Sequence, residues 1–556
     1  MKKIYVLLVA ILMIAVSTFS QNVTVNPGAG SYPDLASAFA AINAGTHTGA
    51  ITVDIINNTT EPVTGAILNA SGAGAASYTS ILMQPSGGAW TITGAATAGL
   101  PLIDLNGADN VTIDGLNAGG NSLTISNTTV SATSGTSTIR FQADATSNTI
   151  TNCSILGSST MAVGTNGGNI WFGSAAITTG NDNNTISNCN IGPAGANLPS
   201  KGIYFSGSTT TAVVNNSGIV INNNNIFDIF QGGVESAAIY STTGTTANTI
   251  TNNRIYQTAS RTYTGTFTHT GIKIINSTSA AGFTITGNII GYASNTQTGT
   301  YTLTGSTGKF VGILFSGLTG GTISNINTNT IASVSMTGVT SSGTSTSSPF
   351  TGILLSNGLA NVNSNTIGSQ SVTGSLTFST TTTAATDVHG IYLFPSDNTT
   401  LNSNTIGGLT ANNAGATGAY IVYGIRSNQG TSLTWAATSN LVGGTIANSI
   451  QNNSTSTTAQ LMGMASNGTF ASIGNLTSNI VRNLTAAGGT GTSGSASVIG
   501  ILMNNTTPNH TILQNVISNL TNTNTTAATT VTGIQFTGGT SNTVQRNFIY
   551  GLTSAT

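Results

Sequence analysis

Short β-branched stretches alternate with polar residues along most of the chain. In Thr284-Ile285-Thr286 the apolar residue lies between two threonines, and such stretches are bounded by glycine and asparagine. A period of two over a few residues is typical of half-buried strands, whereas a helix needs a longer apolar stripe at a period of 3.6. The pattern therefore predicts a chain of many short strands.

Two motifs alternate along the chain, each occurring twelve times at an average spacing of about 36 residues. The first is Asn-x-Ile, with cysteine replacing asparagine in the two copies nearest the N-terminus, and the second is usually Gly-Ile. The first motif begins at Cys153, Cys189, Asn224, Asn253, Asn288, Asn329, Asn365, Asn404, Asn448, Asn479, Asn515 and Asn547. The second supplies Ile139, Ile170, Ile203, Ile239, Ile272, Ile313, Ile353, Ile391, Ile425, Met464, Ile501 and Ile534.

This spacing is typical of a solenoid or a propeller. A propeller blade would show hairpin turns at fixed offsets, but the connections here have unequal lengths. In a parallel β-helix the coils lie about 4.8 Å apart, so equivalent residues stack on one another. We therefore predict an all-β solenoid, a parallel β-helix, with stacked isoleucines in its core. The stacked asparagines should form a ladder of amide hydrogen bonds.

The N-terminus has the features of a secretory signal peptide. Lys2 and Lys3 precede the apolar run Ile4–Val16, and small residues follow. We assign residues 1–20 to this peptide. The apolar run has thirteen residues, fewer than the roughly 20 that a transmembrane helix needs. We therefore expect no membrane span in the mature chain.

An amphipathic helix is predicted over Ser31–Gly45, with Pro33 in its first turn and Gly45 at its end. Its apolar face should cover the first coil as an N-terminal cap. The predicted organisation is thus a cap with irregular first coils over residues 21–125 and regular repeats over residues 126–556. Since a regular repeat lies close to Thr556, we expect the repeats to continue beyond a truncated C-terminus.

Composition narrows the possible partners. Charged residues make up 4% of the chain, against about 25% in ordinary soluble proteins, and the net charge is −1. Eleven basic residues spread over the whole length provide no electrostatic surface for nucleic acid. A hydrophobic fraction of 38% and a mean hydropathy of +0.17 argue against a disordered chain. No motif indicates a cofactor, and none is expected.

Cys153 and Cys189 occupy the ladder position in adjacent predicted coils. Stacked side chains run parallel, so a disulfide would require both to turn toward each other. Free, buried thiols are the favoured interpretation, and a disulfide is the alternative.

Two small groups of charged residues are candidates for chemistry. Asp228 and Arg254 lie on neighbouring predicted coils near the same bend, which favours a surface ion pair over catalysis. Asp387, His389 and Asp397 bracket the Gly390-Ile391 motif, and a histidine beside a carboxylate is suited to acid–base catalysis. No nucleophile or metal-ligand set accompanies either group.

One stretch of the sequence indicates a family. Pro101–Leu116, which reads PLIDLNGADNVTIDGL, and Ser122–Asn127, which reads SLTISN, resemble secreted right-handed parallel β-helix repeat proteins. Such proteins are typically large cargo of the type IX secretion system. The resemblance implies a right-handed coil and export to the medium or the outer surface of a Gram-negative bacterium. It implies little about activity, because most members have no assigned function.

Two functions are compatible with this sequence. The first is an exported, non-enzymatic structural or adhesive module at the cell surface or in the extracellular space, with a polysaccharide or a surface protein as its partner. The alternative is a polysaccharide lyase or glycoside hydrolase of the pectin-lyase-like β-helix type, with its site near Lys201–Lys273 or Asp387–Asp397.

The connections between motifs contain long threonine-, serine- and glycine-rich tracts at Thr296–Lys309, Thr337–Thr351 and Ser371–Asp387. We expect these tracts to form loops on one side of the coil, either as a binding face or as solvated spacers. An ice-binding face would need a Thr-x-Thr pair at one position of every coil. It is disfavoured here because the threonine runs lie in loops of unequal length.

Overall fold

The computed structural model describes residues 21–28, 30–175, 177–277, 282–395, 397–413, 418–430, 433–467, 473–491, 495–504 and 509–555. The predicted signal peptide, residues 1–20, lies outside the described residues. The described chain forms an all-β parallel solenoid of about 13 turns with almost no helix. The predicted fold class is therefore confirmed.

Each full coil contributes one strand to each of three parallel sheets. Sheet 1 consists of Gln21–Val25, Thr48–Ile55, Ser77–Pro85, Val111–Asp114, Thr149–Thr151, Thr185–Ser187, Val220–Asn222, Thr249–Thr251, Thr284–Thr286, Ser324–Asn327, Ala360–Asn363, Thr399–Asn402, Thr434–Thr438, Ile473–Thr477, Thr511–Leu513 and Thr543–Gln545. Sheet 2 consists of Ala66–Asn69, Pro101–Asn106, Ser137–Gln142, Gly168–Phe172, Lys201–Phe205, Ser236–Ser241, Thr268–Ile275, Lys309–Ser316, Phe350–Asn357, Thr386–Leu393, Tyr420–Ser427, Gln460–Asn467, Val498–Asn504 and Val531–Phe536.

Sheet 3 consists of a main ladder and a shorter side ladder. The main ladder contains Thr59–Thr60, Ala89–Gly94, Ser122–Asn127, Cys153–Gly157, Asn190–Pro193, Asn225–Phe227, Arg254–Tyr256, Ile289–Gly291, Thr330–Ala332, Thr366–Gly368, Thr405–Gly407, Leu441–Val442, Ile480–Ala486, Val516–Asn522 and Phe548–Ser554. The side ladder contains Arg261–Tyr263, Tyr301–Gly305, Val334–Val339, Leu376–Thr380, Leu409–Asn413 and Ile450–Asn452. The two ladders merge at Ile480–Ala486, which pairs with a strand of each. The boundary predicted at residue 125 stays a prediction, since strands before and after it share the same sheets.

Outside these sheets, Asn216–Ser217 pairs with Thr245–Thr246. Two single turns of 3-10 helix lie at Ala212–Val214 and Ser345–Ser347.

The core is a set of stacked aliphatic columns. On sheet 2, Ile139 pairs with Ile170, and the same register continues coil by coil to Ile534. Sheets 1 and 3 hold equivalent columns, through Ile150 and Ile155 respectively. These residues are fully buried except at the last coil, so the predicted stacking is confirmed.

The tracts expected as loops are only partly loops. Tyr301–Gly305 lies within the first tract, Val334–Val339 overlaps the start of the second, and Leu376–Thr380 lies within the third. Leu303 pairs with Met336, which pairs with Phe378, and all three are fully buried. These residues alternate with polar residues in threonine-rich surroundings and follow the period of a strand. The side ladder therefore widens the core where solvated loops were expected.

The N-terminal helix covers Leu35–Asn43 and starts later than predicted. Asp34 is its N-cap, and its carboxylate accepts a hydrogen bond from the Ser37 N–H at 2.7 Å. The buried Glu61 carboxylate accepts the N–H groups of Leu35 at 3.0 Å and Ala36 at 2.8 Å. The apolar face of the helix packs in the same core cluster as the first strand, Gln21–Val25, as expected of a cap. No helix among the described residues has the length and apolar character to span a membrane.

The asparagine ladder runs along one bend of the coil. Each buried asparagine donates from Nδ2 to Oδ1 of the next, as Asn253 does to Asn288 at 2.9 Å, and also to a backbone carbonyl of the preceding coil. The members of the ladder are Asn224, Asn253, Asn288, Asn329, Asn365, Asn404, Asn440, Asn479, Asn515 and Asn547.

The assignment of Asn448 to the ladder is wrong. Asn440 occupies that position and bonds to both Asn404 and Asn479. Asn448 is exposed, and its Oδ1 accepts a hydrogen bond from the Thr485 hydroxyl at 2.7 Å. Asn440 precedes Leu441-Val442, so valine fills the core position where the motif requires isoleucine. The Asn-x-Ile copy at residue 448 leads instead into the side ladder.

Cys153 and Cys189 are free and buried. The Cys189 N–H donates to Asn224 Oδ1 at 2.9 Å, so this cysteine stands at the start of the ladder. Its Sγ lies 3.7 Å from the Ile150 carbonyl, the same kind of acceptor that an asparagine amide uses. Burial raises the pKa of the Cys189 thiol to about 12 and that of Cys153 well above its usual value. Both thiols therefore stay protonated and poorly nucleophilic at neutral pH.

Candidate functional site

The candidate residues Asp387 and His389 lie on the sheet 2 strand Thr386–Leu393, and the neighbouring strand adds Arg426. Arg426 Nη1 is 2.6 Å from Asp387 Oδ2 and 3.3 Å from His389 Nε2. Because an arginine can only donate, His389 Nε2 must be the unprotonated nitrogen that accepts. His389 Nε2 and Asp387 Oδ2 are 4.0 Å apart, too far for a direct hydrogen bond.

Two tyrosines enclose this group. The His389 ring is stacked 4.6 Å from Tyr392 and 5.2 Å from Tyr423. The Arg426 guanidinium lies over both tyrosine rings, at 5.1 and 4.7 Å from their centroids. We call Asp387, His389, Tyr392, Tyr423 and Arg426 the Asp387 cluster.

The Asp387 cluster is closed to solvent. His389 and Tyr392 are fully buried, and the Ser345 N–H and hydroxyl cover Asp387 and Tyr392 at 2.8 and 2.6 Å. Burial and the adjacent Arg426 hold the pKa of His389 well below its usual value. Burial raises the pKa of Asp387, although Arg426 and the Ser345 N–H oppose that shift. The cluster therefore combines a neutral imidazole with a carboxylate that is already bound to a cation.

The other candidate pair is separated in the structure. Asp228 is 7% exposed, and its Oδ1 lies 2.5 Å from Arg261 Nη2, while Thr258 donates its N–H and hydroxyl to the same carboxylate. Arg254 lies half-buried on sheet 3 and makes no ion pair within the described part of the chain. The predicted Asp228–Arg254 surface pair is therefore wrong. Asp228 has a positive φ of 56°, directly after the strand Asn225–Phe227, and its carboxylate pairs with Arg261 of the side ladder.

Arg261 begins a hydrogen-bonded chain that leads into the core. Its Nε donates to Gln257 at 2.6 Å, and Gln257 donates to the Tyr301 hydroxyl at 3.3 Å. That hydroxyl is bonded to His269 Nε2, whose Nδ1 is 2.8 Å from the Ser236 hydroxyl. Burial, with a smaller contribution from Arg261, lowers the pKa of His269 to about 3. Ser236 and His269 are fully buried, so this serine–histidine contact cannot reach a substrate.

Further cations lie over aromatic rings on the outer side of sheet 2. Arg140 lies over Trp171 at 5.5 Å, Lys201 over Tyr204 at 4.1 Å and Lys273 over Tyr240 at 4.8 Å. Arg140 also pairs with Asp104 at 2.6 Å, and Lys273 with Glu235. These rings form a small buried cluster separate from the main core. This side of the sheet is thus covered and internally paired.

Lys201 is the most enclosed of these cations. It is fully buried, and its Nζ donates to the carbonyls of Val163 at 3.1 Å, Ala162 at 3.4 Å and Thr165. Burial, with a smaller contribution from Lys273, lowers the pKa of Lys201 to about 7.

Sequence reasoning did not single out Arg426 or the stacking of cations on rings. A usable signal lay in the second motif, because the residue after the core isoleucine faces outward and pairs with its equivalents in the coils above and below. Reading that position down the chain gives Arg140, Trp171, Tyr204, Tyr240, Lys273, Leu314, Leu354, Tyr392 and Arg426.

Within the described ranges, no group of three or more histidine, cysteine, aspartate or glutamate residues could hold a metal ion. Several surface hollows lie along the described chain, and some are lined by uncharged side chains and backbone. One, of about 360 Å³, lies beside Thr457, Thr458, Gln460, Thr490 and Ser495.

No protein-family model matches the chain, and no curated protein matches it significantly. Solved structures give weak matches. The Streptococcus pneumoniae surface adhesin PfbA is 12% identical over 74% of this chain and 92% of its own, with a TM-score of 0.34. The A-module of mannuronan C-5 epimerase AlgE6 from Azotobacter vinelandii is 12% identical over 94% and 95%, with a TM-score of 0.30. A PL6-family polysaccharide lyase from Pseudopedobacter saltans is 11% identical over 96% and 93%, with a TM-score of 0.25. Matches this weak say nothing about activity.

Proposed function

We propose that the protein is an exported, non-enzymatic β-helix module that adheres to uncharged polysaccharide at the cell surface or in the extracellular space. The observation that carries this proposal is the state of the candidate catalytic groups. Asp387 and Asp228 are each bound to an arginine, and His389 and His269 are fully buried. Paired and enclosed groups of this kind stabilise a fold.

Catalysis would require a different arrangement. A general acid or base must come within about 2.6–3.2 Å of the proton that it transfers, directly or through one water. His389 already uses Nε2 to accept from Arg426, and its Nδ1 is enclosed between Tyr392 and Tyr423. The carboxylate of Asp387 is covered by Ser345 and Arg426. Within the described part of the chain, these atoms are enclosed by neighbouring side chains and are not open to a sugar.

The hollow beside Thr490 supports adhesion to an uncharged ligand. Its volume of about 360 Å³ lies within the range of small-ligand sites, which is about 300–1,000 Å³. Thr457, Thr458, Gln460 and Ser495, which carry hydroxyl and amide groups, line it. Such groups both donate and accept hydrogen bonds, as sugar hydroxyls require. Export in the manner of type IX cargo, to the outer surface of a Gram-negative bacterium, belongs to the same proposal.

A glycan array, with release of reducing sugars and unsaturated products measured on the same polysaccharides, tests this function. We expect binding to neutral glycans without product. Thr490→Trp should fill the hollow and weaken binding, whereas Thr485→Trp, on a neighbouring strand outside it, should bind as the parent does. Product release that disappears in His389→Ala, in a variant shown to be folded, would establish the enzyme instead. An absence of binding to every glycan would contradict the adhesive role.

A further inference from the structure

The outer face of sheet 1 carries two columns of small polar side chains. On each strand a buried aliphatic residue lies between two half-buried residues that point outward, as in Thr149-Ile150-Thr151 and Thr284-Ile285-Thr286. The strands pair in register, so the outward residues stack from coil to coil. We call the ten consecutive pairs the sheet 1 array. Its members are Thr149 and Thr151, Thr185 and Ser187, Val220 and Asn222, Thr249 and Thr251, Thr284 and Thr286, Asn325 and Asn327, Asn361 and Asn363, Thr400 and Asn402, Ala436 and Thr438, and Asn475 and Thr477.

The chemistry of the array is uniform. Half of its positions are threonine, and all but Val220 and Ala436 carry a hydroxyl or an amide. No position is charged or aromatic. The outer face of sheet 3 is mixed by comparison, since the equivalent column contains Arg254, Ile289 and Leu441. The outer side of sheet 2 carries stacked cations and aromatic rings with aliphatic residues between them, such as Leu314 and Leu354.

An ice-binding face was disfavoured from the sequence because the threonine runs lie in loops of unequal length, but the structure shows a second set of threonines. The threonines that matter lie in pairs on the strands of one sheet and are not part of the long loop tracts. Coil lengths vary, with Asn224 and Asn253 only 29 residues apart and Asn288 and Asn329 separated by 41. The array keeps its register through both coils, because the extra residues lie outside sheet 1.

The geometry is regular in two directions. Neighbouring coils are about 4.8 Å apart, and residues two apart on a strand are about 6.7 Å apart. Ten coils therefore give an array about 43 Å long. Its side chains are held by one another, for example Ser187 to Thr151 at 3.0 Å and Thr251 to Asn222 at 2.9 Å. A surface ordered in advance loses little entropy when it orders a layer of water.

We propose that the sheet 1 array binds ice. An ice surface is uncharged and periodic in two dimensions, with O–H groups that donate and oxygen atoms that accept hydrogen bonds, and the array has the same three properties. The hydroxyls of Thr249, Thr284 and Thr286 make no side-chain hydrogen bond to any described residue, so they are available to water. A glycan chain is periodic along one line, so it matches only one of the two directions in which the array repeats.

The test uses the purified chain and two matched variants. Thr286→Tyr puts a bulky ring in the middle of the array, and Thr330→Tyr makes the same change at a half-buried strand threonine on sheet 3. Circular dichroism and the thermal midpoint establish that each variant is folded. The readouts are adsorption of labelled protein to a growing single ice crystal, thermal hysteresis and inhibition of ice recrystallisation.

We expect the parent chain and Thr330→Tyr to adsorb to ice and inhibit recrystallisation, and Thr286→Tyr to lose both properties. A parent chain that stays in the liquid would overturn the proposal, as would equal activity in the two variants. Binding to insoluble cellulose or chitin that Thr286→Tyr abolishes, without adsorption to ice, would assign the array to a polysaccharide instead. Binding of soluble glycans at the hollow beside Thr490 is measured independently of ice adsorption. Failure of one proposal can therefore be distinguished from failure of the other.

Discussion

At the scale of single residues, the repeated hydrogen bonds allow a polar group to be buried at low cost. Asn288 illustrates this: its amide donates to Asn329 and to the Ile250 carbonyl, and its Oδ1 accepts from the Asn253 amide and N–H. Buried polar groups are tolerated when they are hydrogen-bonded in this way. Removing one member leaves its neighbours unsatisfied.

Asn288→Ala should therefore lower the free energy of unfolding by about 1–3 kcal/mol, the cost of leaving a buried polar group without a partner. Asn448→Gly, at the exposed copy of the motif, keeps the positive φ of 55° without strain and should change it by no more than about 0.5 kcal/mol. Urea unfolding followed by tryptophan fluorescence measures both. Equal effects would mean that the ladder contributes nothing specific.

The pair of Asp387 and Arg426 makes a larger prediction. Arg426→Met keeps most of the side-chain volume but leaves a buried carboxylate without its cation, a change that typically costs 3–5 kcal/mol. Arg254→Met removes a half-buried arginine without an ion partner among the described residues and should have little effect. The same urea titrations give the comparison. A mild effect of Arg426→Met would show that solvent reaches Asp387, and would reopen the question of a catalytic role.

Lys201 predicts a dependence of stability on pH. Its pKa is about 7 in the folded protein and about 10.4 in an unfolded chain, so between these values the unfolded state binds more protons. Burying Lys201 therefore costs no stability above about pH 10.4, where both states are deprotonated. The cost grows as the pH falls toward 7, because the unfolded state gains a proton that the folded state does not. Unfolding midpoints measured from pH 7 to 9 should rise in the parent and rise less in Lys201→Met. Parallel curves would contradict the assignment.

At the scale of elements, the sequence was informative where every coil repeats the same position. The isoleucine columns and most of the ladder could be predicted because one motif marks each of them. The pairing of Asp228 with Arg261 could not be predicted, since it depends on where the chain turns after a strand. Asn440 was missed because valine replaces isoleucine in its motif. The sheet 1 array was missed because its threonines are spread over separate coils and meet only through the register.

The side ladder gives the prediction that belongs to this scale. Phe378 is fully buried between Met336 and Ala411 in the stack. Phe378→Ala should cost about 3–5 kcal/mol, as expected for a large core side chain. Thr377→Ala, at the half-buried neighbouring residue of the same strand, is the control. A cost below about 0.5 kcal/mol for Phe378→Ala would restore the interpretation of this tract as a solvated loop.

At the scale of the whole molecule, the scarcity of charge should govern binding. The net charge is −1, and the hollow beside Thr490 is lined by uncharged side chains. Salt screens interactions between charges, with a Debye length of about 10 Å at 0.1 M ionic strength, but it has little effect on hydrogen bonds between neutral groups. The affinity for a neutral glycan should therefore stay nearly constant between low and high sodium chloride, as titration calorimetry would measure. A steep loss of affinity with salt would point to an ionic ligand.

Because the columns keep a constant register, the chain can be shortened or lengthened by whole coils. In the sheets, the strands of each coil pair with strands of the coils next to it, so the edge that one coil offers for pairing matches the edge of the next. The segment from Asn288 to the residue before Asn329 begins and ends at equivalent ladder positions. Deleting or duplicating that segment would join matching surfaces and shorten or lengthen the rod by about 4.8 Å. Gene duplication can therefore adjust the reach of this protein one coil at a time without redesigning its core.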